Sequence, residues 1–348
     1  AEMLQKQGCQ VTFVTTSDMV CSFGNYTSEQ FSAQKALINA GVNIHFLCIN
    51  SNTAMYYACQ YMPEIIPLLI KNGAYTEIIN FSSDTALHIA CEYQPDAVKA
   101  LLKHNVNIEA LTVYKHTPLH IAAQYHLKAV QILVEHNANI NALSITNDTP
   151  LHNSCFNQPE IARYLITQGA DINAINTYKD SPLHTACEYQ PEIARLLIEN
   201  NAIVDAHGRY GLTPLHIACY EALDIAKLLI EKGANLYAKD KLGETPFDTL
   251  DLREEFGLLA FAVRDELTKE DKNGQTPLMI AINEDHDDYA FALLSQGADI
   301  FHENSVGDSA FKILQRTSDL PKKLKSIKEN FLLQDLLTSQ EESDSLGL

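Results

Sequence analysis

One short phrase recurs along this chain at a fixed interval, and no other feature limits its fold as strongly. Thr85-Ala86-Leu87-His88-Ile89-Ala90 returns as Thr117-Pro118-Leu119-His120-Ile121-Ala122. It returns again as Thr149-Pro150-Leu151-His152, Ser181-Pro182-Leu183-His184 and Thr213-Pro214-Leu215-His216. Thr53-Ala54-Met55-Tyr56 precedes these, and Thr245-Pro246-Phe247, Thr276-Pro277-Leu278-Met279 and Ser309-Ala310-Phe311 follow. From residue 53 to 245 every interval is 32 residues, and the next two are 31 and 33. A chain of 348 residues would otherwise be expected to divide into about two or three globules. Internal repetition overrides that expectation, because stacked units share a core with their neighbours and need no common centre.

A second signal keeps the same period. Twenty residues after each motif Thr or Ser stand Gly73, Asn105, Asn137, Gly169, Asn201 and Gly233. Gly and Asn both tolerate the left-handed conformation that ends a helix. Between the two signals lie runs such as Pro191-Glu192-Ile193-Ala194-Arg195-Leu196-Leu197-Ile198, with Pro at the first turn and apolar residues at helical spacing. Each unit therefore reads as a short helix, a tight turn, a longer helix, a left-handed stop and an extended arm.

The T-P-L-H-x-A opening, the helix pair and the near-33 period resemble ankyrin repeats over residues 17–311. The resemblance implies an all-α ankyrin-repeat solenoid of helix-turn-helix units joined by extended hairpin arms, with a C-terminal capping helix. One departure is systematic: the family's Gly-His turn is replaced by a turn one residue shorter, as in Cys91-Glu92-Tyr93-Gln94-Pro95-Asp96. The unit at Thr276 keeps the longer form, with His286 at the family's turn position. The expected organisation is truncated and degenerate repeats over 1–48, regular repeats over 49–246 and irregular repeats over 247–311. A capping helix follows over 312–338, where Leu320, Leu324, Ile327 and Phe331 form one apolar stripe, and then an acidic tail over 339–348.

Lys and Arg number 25 against 44 Asp and Glu, a formal net charge of −19. Such a field repels phosphate backbones, which argues against nucleic acid and in favour of a neutral or basic protein partner. No apolar run reaches the length of a membrane span, so no membrane partner is expected. Membrane binding through Lys322, Lys323, Lys325 and Lys328 is opposed by the acidity around them.

Cys59, Cys91, Cys155, Cys187 and Cys219 share one repeat position, six residues after the motif Thr or Ser. Packed helices lie about 8–10 Å apart, whereas a disulfide needs Cα atoms within roughly 7 Å. These are expected to be buried, reduced thiols, which places the chain in a reducing, cytoplasmic compartment. One His per repeat is too widely spaced for convergent metal ligands, so no metal or cofactor is expected. No Cys–His pair breaks the repeat symmetry and no phosphate loop appears, so no catalytic residue is expected within the chain. In the ankyrin family the motif His is a structural hydrogen-bonder that ties neighbouring arms.

The tyrosines are the candidate binding residues. Tyr114, Tyr178 and Tyr210 stand three residues before the motif Thr or Ser; Tyr61, Tyr93, Tyr125 and Tyr189 stand eight after it, and Tyr220 seven. The ankyrin resemblance puts the first set at the arm tips and the second at the end of the first helix, both on the concave, partner-facing side. Tyr suits an interface because it combines large area, few rotamers and a hydroxyl. A residue recurring at one repeat position also fits an inter-repeat packing ladder, and the helix-end set admits both readings. Glu92, Glu188, Lys115 and Arg209 flank them. The expected function is a monomeric protein-interaction scaffold. Asn- and Ile-rich repeats, the lack of Trp and an acidic end closing on Leu346-Gly347-Leu348 resemble ankyrin-containing effectors delivered by type IV secretion into host cytosol. The alternative is a substrate-recruiting module of a longer enzyme with its catalytic domain upstream.

Overall fold

The computed structural model describes residues 53–236, 238–246, 267–268, 270–271, 273–283 and 286–316, together with residues 35, 36, 38, 39 and 44. Its chain divides into two compact units, Ala1–Ala202 and Ile203–Leu348. Among the described residues all regular structure is helical, and the fold is the ankyrin-repeat solenoid.

In the first unit, α1 (Ala54–Tyr61) is followed by a 3-10 turn (Pro63–Ile65) and α2 (Ile66–Lys71). Three further pairs are α3 (Ala86–Tyr93) with α4 (Pro95–Leu102), α5 (Pro118–Tyr125) with α6 (Leu127–Glu135), and α7 (Pro150–Ser154) with α8 (Pro159–Thr167). The last pair is α9 (Pro182–Tyr189) with α10 (Pro191–Glu199). First helices pack on first helices and second on second, α1 to α9 and α2 to α10. No pair could bury its apolar face alone; the stack seals a ladder of Leu87, Leu119, Leu151 and Leu183, and another of Leu101, Leu133, Leu165 and Leu197.

Each first helix opens on an extended Thr or Ser, and in α3, α5, α7 and α9 the His three residues on completes a capping box. The imidazole does more than cap. Nδ1 of His88, His120, His152 and His184 accepts the backbone N–H of Thr85, Thr117, Thr149 and Ser181, each at 3.1 Å. A nitrogen that accepts carries no proton, so the proton sits on Nε2. Nε2 then donates to the next arm: His88 to the His116 carbonyl at 3.1 Å, His120 to Asp148 at 2.9 Å and His152 to Asp180 at 3.2 Å. Tyr56 stands where the His would be and still reaches the equivalent carbonyl of Asp84.

A single residue replaces the longer turn: Gln94, His126 and Gln190 each act as C-cap of one helix and N-cap of the next, while Gln158 is the N-cap of α8 after the shorter α7, whose C-cap is Cys155. Two of these reach back across the stack. His126 Nε2 lies 2.9 Å from the Glu92 carbonyl, and Gln158 donates to the Gln124 carbonyl at 3.0 Å. The orphan carbonyls at the ends of α3 and α5 are thereby satisfied from the neighbouring repeat.

The expected stops are left-handed as read: φ is 86° at Gly73, 51° at Asn105, 64° at Asn137, 86° at Gly169 and 66° at Asn201. At Gly169 the bonds Ala170 N to Leu165 O and Gly169 N to Ile166 O form the paired closure of a Schellman turn. One helix departs from the periodic expectation. α7 is the shortest first helix of this unit; at its end the Leu151 carbonyl accepts both Ser154 Oγ at 2.8 Å and Cys155 N at 3.1 Å.

The second unit contains α11 (Pro214–Glu221), α12 (Leu223–Glu231), α13 (Pro277–Asn283), α14 (Asp287–Ser295) and α15 (Ala310–Arg316). His216 repeats the arrangement, with Thr213 N on Nδ1 at 3.0 Å and Nε2 at 3.2 Å from the Glu244 carbonyl. α15 starts at the Ser309 motif, as α13 does at Thr276. Most of the degenerate start over 1–48, residues 247–266 of the irregular repeats, the capping stripe Leu320–Phe331 and the acidic tail 339–348 lie outside the described residues.

Two outcomes test this account. A Cβ added at Gly169 meets nothing within 4 Å, so Gly169→Ala should destabilise through backbone conformation alone. The expected loss is about 1 kcal/mol by urea unfolding, with Gly169→Asn losing less. Burial pushes the His120 imidazole from its ordinary 6.5 to about 4, so the unfolded chain binds more protons than the folded one between those values. Its stabilisation is whole above pH 6.5 and is lost as pH falls toward 4, amounting to about 3 kcal/mol. Unfolding free energies across this range should fall with acid in the native chain and fall less steeply in His120→Gln.

Candidate protein-binding surface

The arms of the first unit are hairpins closed by their own backbone. In the arm 112–116, Thr112 N donates to the His116 carbonyl at 3.1 Å and Lys115 N to the Thr112 carbonyl at 2.9 Å. Arms 80–84, 144–148 and 176–180 repeat the pattern. The first residue of each arm turns a polar side chain inward: Thr112 Oγ1 accepts from Tyr114 N at 3.2 Å and His116 N at 3.1 Å. Asn176 Oδ1 does the same for Tyr178 N at 2.9 Å and Asp180 N at 3.0 Å. Lys115 and Lys179 follow their tyrosines in the left-handed region, at φ 56° and 70°. Neighbouring arms are tied edge to edge, Ile145 N donating to the Tyr114 carbonyl at 2.8 Å and Thr177 N to the Thr146 carbonyl at 2.8 Å.

Tyr114 thus has its N–H held by Thr112 and its carbonyl held by the next arm, while its ring is 61% exposed. The ring lies 6.2 Å from His116, which stacks on buried His120 at 5.4 Å and 17°. Tyr178 is 48% exposed, and Lys115 beside Tyr114 is exposed as well. In the second unit Tyr210 is 65% exposed, but its backbone differs from the other tips. Gly208 offers no side-chain acceptor; Arg209–Gly211 wind as one 3-10 turn in which Tyr210 itself is left-handed at φ 57°. Its carbonyl still accepts Lys241 N at 2.8 Å. Arg209 is exposed, and Tyr220, next to last in α11, is exposed too.

The helix-end set occupies the last residues of α1, α3, α5 and α9. Tyr61, Tyr93, Tyr125 and Tyr189 are each about half covered. Partial burial pushes the Tyr93 phenol up to about 12, helped by the carboxylate of Glu92 and the flanking Tyr61 and Tyr125. Glu92 is half-buried and Glu188 exposed. Tyr189 packs against Phe156, ring centroids 5.0 Å apart at 43°. Packing and display therefore coexist in this row: Tyr189 has an aromatic partner in the neighbouring repeat, while all four residues stay about half exposed.

The sequence reading missed an apolar ladder on the arms. Ile79, Leu111, Leu143 and Ile175 share one repeat position, and Phe81, Val113 and Ile145 share another two residues on; all are exposed. The residue between each pair points inward, as buried Thr112 and Ser144 show. Alternation of that kind was readable, but not which side of it stays wet. Leu242 and Val306 also occupy tip positions and are exposed.

Cys59, Cys91, Cys155, Cys187 and Cys219 are buried and none is in a disulfide. Burial pushes the thiols of Cys59, Cys91 and Cys155 well up, so they hold their protons and are poor nucleophiles. Among the described residues no group of three or more His, Cys, Asp or Glu could hold a metal ion, and no helix is long and apolar enough to cross a membrane.

The geometry defines a repeat protein that displays side chains from tied arms and a row of helix ends. Residues 26–112, 109–176 and 169–240 match Ankyrin repeats (3 copies), and residues 273–305 match Ankyrin repeat; the chain belongs to the ankyrin-repeat family. No curated protein sequence matches it. Among solved structures it is similar to the human ASB11 ankyrin repeat domain, with a TM-score of 0.56, 24% identity, and coverage of 61% of this chain and 98% of that one. It is also similar to the ankyrin repeat domain of Bcl-3, with a TM-score of 0.52, 23% identity, and coverage of 60% and 99%. These likenesses show the fold. Ankyrin repeats are in general protein–protein interaction modules, and such scaffolds are typically non-catalytic.

Proposed function

We propose that this chain is a non-catalytic, monomeric scaffold that binds a neutral or basic partner protein on its concave ankyrin surface. The observation that carries the reading is Tyr114: a largely exposed aromatic ring on a backbone whose N–H and carbonyl are both already bonded. A ring displayed from a fixed backbone loses little entropy when it is covered. In the first unit the contact residues are Tyr61, Glu92, Tyr93, Tyr114, Lys115, Tyr125, Tyr178, Glu188 and Tyr189; in the second they are Arg209, Tyr210 and Tyr220. Buried thiols that hold their protons support action in a reducing cytoplasm.

Interface tyrosines that act as anchors are each worth about 2 kcal/mol or more. Tyr114→Ala/Tyr178→Ala should therefore lose most of the partner recovered from cytosol by the native chain, while its thermal unfolding stays cooperative. Unchanged recovery from the folded double variant removes the tips from the interface. The reading extends to a secreted effector acting in host cytosol, supported by the acidic stretch Glu341-Glu342-Ser343-Asp344 and the residues after it. Removing residues 339–348 should abolish translocation of a reporter fusion through a type IV system; undiminished translocation ends that part of the reading.

A further inference from the structure

In the first unit the basic side chains of the helices are confined to one of the two rows. The first helices α1, α3, α5, α7 and α9 contain no Lys or Arg, whereas Lys71, Lys99, Lys128, Arg163 and Arg195 all lie on second helices. The half-exposed ends of three successive first helices are Tyr61, Tyr93 and Tyr125, and Glu92 adjoins the middle one. An aromatic face attracts a cation through its quadrupole, and a carboxylate beside it adds an ion pair. A planar, weakly hydrated guanidinium stacks on such a face better than an ammonium does.

Spacing narrows the ligand further. Packed helices bring equivalent residues to about 8–10 Å from one another. A β-strand repeats its side-chain direction every second residue, at about 6.6 Å, which falls short of that distance. A polyproline II segment repeats every third residue at about 3.1 Å per residue, or about 9 Å, which matches it.

We propose that Tyr61, Tyr93 and Tyr125, with Glu92, form a docking row for an extended peptide carrying an arginine at every third residue. This rests on the reading of the chain as a protein-binding scaffold and gives the partner a chemistry: one guanidinium over each ring, the central one also paired with Glu92. The row is separate from the arm tips, so the two can fail independently.

The test uses the full chain and two labelled peptides of identical composition and charge, Arg-Pro-Pro-Arg-Pro-Pro-Arg and Arg-Arg-Arg-Pro-Pro-Pro-Pro, titrated by fluorescence anisotropy at physiological salt. The spaced peptide should bind about tenfold more tightly than the block, a preference equivalent to one good cation–π contact with its ion pair. Tyr93→Leu keeps apolar cover and should abolish the preference; Tyr93→Phe keeps the ring and should retain it. Glu92→Gln should weaken the spaced peptide more than the block. The proposal is overturned by equal affinity for the two peptides, by binding of neither, or by a preference that survives in Tyr93→Leu. Tyr114→Ala/Tyr178→Ala should leave the preference intact, so failure here leaves the tip test of the scaffold reading standing, and the reverse also holds.

Discussion

A buried imidazole that accepts from its own repeat and donates to the next is the interaction on which this architecture depends. Each helix pair is too small to bury its apolar face alone, so the repeats must be held in register before their leucine ladders can close. The His ring does this because its two nitrogens act in opposite senses. Nδ1 fixes the start of its helix, and Nε2 fixes the base of the following arm. That division requires the neutral tautomer, and burial enforces neutrality by penalising the imidazolium.

Arm positions follow from this bond. The carbonyls accepting from His88, His120 and His152 belong to His116, Asp148 and Asp180, each the last residue of a hairpin arm. A hairpin of a few residues is too short to be stable by itself. Here its base is held by the imidazole, its turn by an inward Asn, Thr or Ser, and its edge by the adjacent arm. Tyr114 and Tyr178 are consequently displayed from backbone that has already lost its freedom. The shortened turn contributes in the other direction, since His126 and Gln158 reach back to the helix ends that present Tyr93 and Tyr125.

The second unit shows how far the display tolerates variation. Tyr210 keeps the tip position and the edge bond, yet a glycine replaces the inward polar residue and the tyrosine itself turns left-handed. An L-residue in that region costs of order 1 kcal/mol, and at the neighbouring Gly211, also left-handed at φ 80°, an added Cβ would crowd Lys241 N at 3.1 Å.

Residues within one or two turns of each other decide the left-handed stops and the placing of tyrosines at helix ends, and these, with the period, were legible in the sequence for that reason. The thiol ladder was legible too, because helix spacing alone forbids its bridging. What only the tertiary structure decided involves a neighbouring repeat. The backward bonds of His126 and Gln158 join residues 34 apart. The exposure of Leu111, Val113, Leu143 and Ile145 depends on which side of each arm meets the next, and alternation in one strand carries no information about what stands beside it.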